Sequence, residues 1–218
     1  MADLTASAGL VRGLLDFAVS KGVERSALAA RAGLDMAMLQ EPDNRVPFQR
    51  YTALLREAQT MCGDPALALH YGEAIDMSEV SIVGLIMNAS ENMADAFAQL
   101  QRFSQLALEV EGAGARFDVA QRGSQPWIVD ARANPNDFPE LTEVTFARLV
   151  CGPRRFLPEP HVLEVHVTHR APSYRAEYDR VFQCPIVFES DWNAMRMHPQ
   201  AAAWRVALQP RYVFGVLT

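Results

Sequence analysis

The chain has 218 residues, of which 50% are hydrophobic and 21% are charged, and its net charge is -6. This composition excludes a disordered or low-complexity chain and is typical of a globular protein with one large domain or two small ones. The acidic balance also disfavours autonomous nucleic-acid binding, because a surface that neutralises phosphates needs an excess of lysine and arginine.

The sequence predicts a protein that stays in the cytoplasm and does not contact a membrane. Residues 1–9 are small and polar and lack the basic and then apolar pattern of a signal peptide. Apolar runs stay shorter than the roughly 18 residues that a membrane helix needs. Cys62, Cys151 and Cys184 are widely spaced among apolar neighbours, which predicts reduced thiols rather than disulfides.

The first half of the chain, residues 10–110, has the apolar period of α-helices. The pattern predicts a helix over residues 10–21, a shorter one over 24–31 and a third from Pro47 to the glycine at position 63. Asp64 with the following proline is typical of the start of a fourth helix.

Residues 80–89 are apolar nearly all round, which predicts a central, buried helix. Ser81, Gly84 and Asn88 form a polar stripe along it. Such a stripe must meet a partner, because an unsatisfied buried polar group costs about 1–3 kcal/mol. The stripe lines either a small-molecule cavity or a groove in which Gly84 lets another helix approach closely, and the sequence leaves both alternatives open.

A long helix and a hairpin follow. Asn92 and Asp95 have the spacing of a capping box at the start of a helix over residues 93–110. Beyond it the apolar period changes from 3.6 to 2, and residues 116–120 and 127–131 read as the two strands of a hairpin.

The rest of the chain alternates helix and strand. Residues 140–156 are predicted to be helical, residues 161–169 to form a strand, and Ser173 to cap a further helix; short strands follow at 186–188 and 194–197. The predicted fold class is therefore α+β, with a mostly helical first half and then an antiparallel sheet with packed helices.

Strand alternation assigns the side chains of residues 161–169 to two faces. Leu163, Val165 and Val167 are predicted to face the core, with Glu164 and His166 on the solvated face.

The same alternation argues against a metal site at the three histidines. His161 and His169 lie on one face about 26 Å apart, while His166 points the opposite way. We expect a solvated His166 and a hydrogen-bonded core His169.

The sequence also lacks the usual catalytic motifs, such as a nucleophile elbow, a phosphate-binding glycine loop and a zinc-protease motif. We therefore expect no catalytic residue, no metal and no cofactor.

Residues 26–39 have the helix, glycine turn and helix rhythm of a DNA-binding helix-turn-helix. The would-be recognition helix, residues 35–40, carries no Lys, Arg or Asn that would read base edges. A packed helical corner is the favoured interpretation, and an autonomous DNA-binding protein that uses residues 26–39 is the alternative.

Four stretches carry a family resemblance. They are Arg45-Val-Pro-Phe-Gln-Arg-Tyr-Thr-Ala-Leu-Leu, Gly63-Asp-Pro-Ala-Leu-Ala-Leu-His-Tyr-Gly-Glu, residues 84–100 with Ser90-Glu-Asn-Met-Ala-Asp-Ala-Phe, and Val165-His-Val-Thr-His-Arg-Ala-Pro with Cys184-Pro-Ile-Val-Phe beyond it. In this order they resemble the N-terminal effector domain of AraC-type transcriptional regulators, in its arabinose-binding-like subclass.

The resemblance implies a ligand-sensing and dimerisation domain over residues 1–218, with a small-molecule effector and a second copy of the chain as partners. It further implies that DNA is bound only by a C-terminal DNA-binding domain that this chain lacks. Residues 201–218, ending in Arg211-Tyr-Val-Phe-Gly-Val-Leu-Thr, resemble the start of the linker to such a domain.

The effector site is expected between residues 80–89 and the inner face of the sheet. Ser81 and Asn88 are the candidate hydrogen-bonding groups, and His169 lies at the edge of the strand. Arg148 is a candidate carboxylate clamp if its helix turns it inward, since a guanidinium binds a carboxylate through two parallel bonds. Its alternative interpretation is an exposed helix residue.

Overall fold

The computed structural model of the chain describes residues 4–111 and 115–206. Helices dominate the first half of these residues and a five-stranded sheet lies in the second. This confirms the predicted α+β fold class.

Seven helices make up the first half. They are α1 (Ala8–Ser20), α2 (Arg25–Ala32), α3 (Phe48–Cys62), α4 (Leu67–Ala74), α5 (Met77–Val80), α6 (Ile82–Ala89) and α7 (Met93–Ala107). Helices α2 and α3 end at Gly33 and Gly63, whose φ angles of 64° and 61° place them in the left-handed region that glycine adopts without strain. At the start of α7 the Asn92 side chain accepts the N–H of Asp95 at 2.9 Å, as the capping-box spacing predicted.

A small two-stranded ribbon was not predicted. Strand β1 (Thr5–Ser7) pairs antiparallel with β2 (Arg45–Pro47), and Ala6 lies opposite Val46. Both of these residues are buried and pack with α1 and α3. Three residues are too few to show an alternating pattern, so the ribbon depends on tertiary contacts that local sequence does not reveal.

The main sheet contains β3 (Phe117–Arg122), β4 (Gln125–Asp130), β5 (Val162–His166), β6 (Ile186–Val187) and β7 (Ala194–Met197), in the order β3-β4-β7-β5-β6. The pairs β3–β4, β4–β7 and β5–β7 are antiparallel, whereas β5–β6 is parallel. A parallel neighbour needs a crossover connection, and α9 (Arg175–Phe182) provides it. The sheet is thus mixed at one edge rather than wholly antiparallel.

Helix α8 (Pro139–Arg154) connects the two halves of the fold. It packs closely against α4, where a Cβ added to Gly72 would lie 2.4 Å from the carbonyl oxygen of Val144. On its other side, Phe146 and Val150 join the core beneath the sheet together with Val165, Val181 and other residues. This arrangement places both ends of α8 next to the helical half.

The predicted alternation of β5 is wrong at its start. A register shift between Val162 and Glu164 makes a β-bulge, so that Val162 is buried while Leu163 is only half-buried. An extra residue on one strand moves the following side chains to the other face. Val165 and Val167 lie beyond the bulge and are buried, as predicted.

His166 is not a solvated residue, contrary to prediction. Its Nε2 lies 3.0 Å from Oε1 of Glu164 and its Nδ1 lies 2.9 Å from Oγ of Ser190. The ring also meets the Trp127 ring edge-on at 5.0 Å between centroids. The outer face of the sheet is therefore covered by aromatic side chains at this point.

The predicted helix cap at Ser173 is wrong as well. Helix α9 begins at Arg175 without a side-chain cap bond.

Residues 26–39 form a packed corner without a second α-helix. After α2 and Gly33 the chain makes a four-residue 3-10 turn, Met36–Leu39. The Asp35 side chain caps this turn by accepting the N–H of Ala37. Leu28 and Leu39 are buried in the helical core. A single turn is too short to serve as a recognition helix in the major groove.

The described residues end against α7. The N–H of Met93 donates to the carbonyl oxygen of Trp204 at 2.9 Å, and Val206 is buried. Of the predicted linker, residues 201–218, only 201–206 are described, and the ending from Arg211 lies outside the described residues. Nowhere in the described part of the chain is a helix both long and apolar enough to cross a membrane.

Candidate functional site

A cavity of about 300 Å³ lies between α6, α7 and α8. Leu10 of α1, Tyr51 of α3 and Phe117 of β3 close it. Its lining is mostly apolar and includes Met77, Val83, Met87, Leu100, Leu108, Leu141 and Val144. This volume is at the lower end of the range for small-molecule sites, which are mainly apolar with a few polar groups. We call it the first cavity.

Helix α6 forms one wall of the first cavity. Asn88 and Gly84 line it, whereas the Ser81 hydroxyl lies outside the lining and accepts the N–H of Val83 at 3.2 Å as a helix cap. A Cβ on Gly84 would lie 2.2 Å from the Met77 carbonyl carbon, so this glycine allows close backbone approach. Of the two alternatives for the polar stripe, lining a cavity describes Asn88 and close approach of another segment describes Gly84.

The prediction that α6 is buried all round is wrong. Val83 and Ile86 are buried, but Ile82 is 36% exposed. The helix lies at one side of the cavity, so only the face toward α5, α7 and the cavity is covered within residues 4–111 and 115–206. The rest of the described lining comes mainly from α7 and α8, and Phe117 is its only residue from the sheet.

Arg148 lines the first cavity and is half-buried, so it is not the exposed helix residue of the alternative interpretation. Its Nη1 lies 3.1 Å from the sulfur of Met77. Burial, together with repulsion from Arg116, lowers the pKa of Arg148 to about 10. The structure thus places Arg148 and Asn88 around one cavity, and it places Ser81 and His169 elsewhere.

Two further arginines form a buried cluster behind the cavity wall. Oδ2 of Asp130 lies 3.2 Å from Nη2 of Arg116 and 3.0 Å from Nε of Arg132. Arg116, which lines the cavity, also donates to the Thr145 hydroxyl at 3.0 Å. Burial opposes the ionisation of Asp130, but the two guanidinium groups outweigh it and hold the pKa of Asp130 below its ordinary value.

Tyr51 is a site residue that sequence reasoning missed. Its side chain is fully buried and lines the cavity, and its hydroxyl has no hydrogen-bond partner in the described part of the chain. Burial raises the pKa of Tyr51 to about 12. The sequence signal was weak: Tyr51 belongs to the apolar stripe of α3, where only its hydroxyl distinguishes it from a core residue. A buried tyrosine ordinarily finds a partner for this group.

A second polar cluster surrounds His169 on the far side of α8. The Tyr174 and Tyr178 hydroxyls donate to Oε1 of Glu143 at 2.8 and 2.6 Å, and the Tyr178 oxygen also lies 3.0 Å from Nε2 of His169. Nδ1 of His169 lies 2.9 Å from the carbonyl oxygen of Arg170. His169 is thus hydrogen-bonded, as predicted, but it does not line the first cavity.

The contacts of this second cluster require one proton beyond those of the two phenols and a neutral imidazole. The single phenol proton of Tyr178 cannot serve Glu143 and His169 at once, so another proton on one of them is needed if all these contacts are hydrogen bonds. Burial raises the pKa of Glu143 to about 7 and lowers the pKa of His169. These shifts favour the carboxyl group over the imidazole as the holder of the extra proton, and in that form Glu143 donates to the Tyr178 oxygen while the Tyr178 hydroxyl donates to His169.

We expect wild-type stability to fall, relative to Glu143→Gln, as the pH rises through about 7. A carboxyl group whose pKa is raised by folding stabilises the fold fully below its ordinary pKa of 4.5, and this contribution is lost as the pH passes the folded value. The expected loss is on the order of 2 to 3 kcal/mol between about pH 5 and about pH 8. Urea unfolding of both proteins measures it, and parallel stability curves would contradict the assignment.

A second cavity, of about 560 Å³, lies between α7 and the inner face of the sheet. It shares six lining residues with the first cavity: Met87, Met93, Ala96, Leu100, Leu149 and Pro153. Its described lining contains no Asp, Glu, Lys or Arg side chain. Across residues 4–111 and 115–206, no group of three or more His, Cys, Asp or Glu side chains has the arrangement of a metal site.

The sequence family identifies the chain as a domain of a transcriptional regulator. Residues 22–206 match the model of the arabinose-binding domain of AraC transcription regulators, N-terminal. Since this match covers most of the chain, the protein belongs to that family.

The chain resembles known transcriptional regulators. It is 29% identical over 191 residues to an ornithine utilization regulator from Pseudomonas aeruginosa, a match that covers 84% of this chain and 54% of that protein. The crystal structure of the transcriptional regulator CdpR from Pseudomonas aeruginosa superimposes with a TM-score of 0.62 at 15% identity, covering 94% of this chain and 60% of that one. The second likeness shows the fold alone. The chain spans about half the length of the curated relative.

Proposed function

We propose that this domain binds a small organic effector in the first cavity, and that binding controls DNA occupancy through a DNA-binding domain of a full-length cytoplasmic regulator. Membership of the AraC regulator family supports the regulatory role. The observation that carries the proposal is the mainly apolar cavity with Asn88, Tyr51 and three arginines, Arg116, Arg148 and Arg155, on its wall.

The construction of the cavity wall supports coupling between ligand and conformation. Its lining comes from α1, α3, α6, α7 and α8, together with the start of β3, so an occupant would contact both halves of the fold. A ligand shifts the populations of two states only as far as it binds one of them better. If any one of these elements moves between two states of the domain, the contacts with the ligand change, and the affinity then differs between the states.

Two related expectations stay predictions. The homodimer implied by the family resemblance is one of them, and apolar side chains on the surface, such as Leu106 at 52% exposure, are compatible with it.

Autonomous DNA binding by residues 26–39 is the second expectation and the alternative function. The 3-10 turn in place of a recognition helix and the net charge of -6 disfavour it.

We expect an effector to raise the melting temperature of the wild type more than that of Asn88→Leu, because this substitution removes a hydrogen-bonding group from the cavity wall at similar volume. A thermal-shift screen of small carboxylic acids, amino-acid derivatives, sugars and aromatic compounds measures this. The matched control is Asn134→Leu, the same change at an exposed loop position. It should respond as the wild type does. Equal stabilisation of all three proteins by every hit would show that Asn88 takes no part in binding and that the site lies elsewhere.

A further inference from the structure

Positive charge exceeds negative charge around the first cavity, because Arg116, Arg148 and Arg155 line it against the single carboxylate of Asp76. Within residues 4–111 and 115–206, Arg148 forms no ion pair, and its closest polar contact is the neutral sulfur of Met77. Arg116 shares the single carboxylate of Asp130 with Arg132. Arg148 is half-buried and without an ion pair among these residues, so a ligand of opposite sign would stabilise its charge.

One carboxylate does line the cavity, but it is otherwise engaged. Asp76 accepts the backbone N–H of Ser78 at 2.9 Å and the Ser78 hydroxyl at 2.7 Å, which caps the start of α5. Both bonds are accepted by Oδ1 and hold the carboxylate against the start of α5. Among the described residues Asp76 forms no ion pair with Arg148, whose polar contact is the Met77 sulfur.

The unsatisfied groups of the site are hydrogen-bond donors. The Tyr51 hydroxyl and Nε of Arg116 are buried without partners in the described part of the chain, and the nitrogens of Arg148 face only a weak acceptor. A buried donor without a partner costs the full desolvation of that group. A ligand that supplies several acceptor atoms and one negative charge would satisfy all of them.

We propose that the effector is a small organic acid, whose carboxylate is bound in the first cavity by Arg148 and the Tyr51 hydroxyl, with Arg116 adjacent. This inference rests on the proposed function above, because it names the ligand of the same site. A carboxylate offers about four acceptor positions and pairs with a guanidinium through two parallel bonds. The aliphatic and methionine side chains of α6 and α7 then contact the apolar body of the acid.

Other ligand classes fit the lining less well. A sugar needs donors and acceptors along its whole length, whereas most of the lining is aliphatic or methionine. The second cavity has no described charged lining, so it lacks the anchor that the first cavity has.

The test compares acids with their neutral amides on the whole chain. We expect calorimetric titration to show phenylacetate or hexanoate binding at least about 10-fold more tightly than phenylacetamide or hexanamide. In Arg148→Met the acid should lose roughly 10-fold to 100-fold in affinity, while the amide should be unchanged. Arg102→Met, the same change at an exposed position of α7, should behave as the wild type.

A second readout separates this role from a structural one. Because Arg148→Met removes an uncompensated charge, the ligand-free variant should melt at the same temperature as the wild type or higher. A lower melting temperature would identify Arg148 as a structural residue and overturn the proposal. So would the absence of binding by both acids at millimolar concentration.

The outcomes also distinguish this inference from the proposed function. Neutral compounds that lose affinity in Asn88→Leu and bind Arg148→Met normally would overturn the carboxylate assignment and leave the effector site in place. Acids that bind Asn88→Leu and Arg148→Met as tightly as they bind the wild type would overturn both proposals.

Discussion

Asp130→Asn is expected to destabilise the domain by about 3–5 kcal/mol. The substitution keeps the shape of the side chain and removes the charge that compensates Arg116 and Arg132. Asp130 is completely buried, and the side chains of the two arginines are only 6% and 7% exposed. Two buried cations would then lie next to each other without an anion, which is among the most unfavourable changes in a protein interior.

Urea unfolding of this variant is best compared with Asp16→Asn. Asp16 also forms an ion pair with an arginine, Arg25, at 2.6 Å, but its side chain is 51% exposed. Pairs of this kind contribute about 0–1 kcal/mol because water screens them. Similar losses in the two variants would mean that the Asp130 cluster is solvated and that the cavity wall is not the buried, positively charged surface described above.

Val165→Asp is expected to cost more than about 4 kcal/mol and to unfold the sheet region at ordinary temperature. Val165 is fully buried on β5, between β7 and β6, and packs with Phe146, Val181 and Met195. A carboxylate placed there has no partner, and burying an unpaired charge far outweighs the loss of a methyl group.

Its matched control is Val187→Asp, the same change on the neighbouring strand. Val187 lies beside β5, opposite His166, but is 38% exposed. The control should lose less than about 1 kcal/mol, because its carboxylate stays in water. Chemical denaturation followed by circular dichroism measures both variants. If Val187→Asp lost as much unfolding free energy as Val165→Asp, the assignment of Val165 to the core and of Val187 to the surface would be wrong.

The elements with strong local signals were predictable from the sequence. The stripe of α3, the cap at Asn92 and the glycine stops at Gly33 and Gly63 each depend on residues within one or two turns. The hairpin of β3 and β4 follows from alternation and a turn at Gly123. These are places where local preference and tertiary structure agree.

Elements that depend on distant pairing were missed. The ribbon of β1 and β2 joins residues about 40 positions apart, and neither strand is long enough to show a period. The bulge at Leu163 is decided by the register with β7, which alternation within β5 cannot report. His166 was assigned to solvent for the same reason, since the aromatic side chains that cover it come from β4 and from the segment before β7.

The candidate site was predictable only in part. Asn88 was found because a polar residue in an apolar helix is a visible signal. The orientation of Arg148 was not, because apolar residues surround it on α8 and leave no single polar face to which it could be assigned. The buried ion pairs of Asp130 with Arg116 and Arg132 were also not predicted. These residues lie at the two ends of a hairpin, and charged residues at such positions ordinarily lie in water.

A crystal structure of the chain grown with the acid that most raises its melting temperature tests the central claim most directly. The account predicts electron density for the acid between α6, α7 and α8, with its carboxylate within hydrogen-bond distance of Arg148 and the Tyr51 hydroxyl. An empty first cavity, with the acid bound in the second cavity or on the surface, would contradict it.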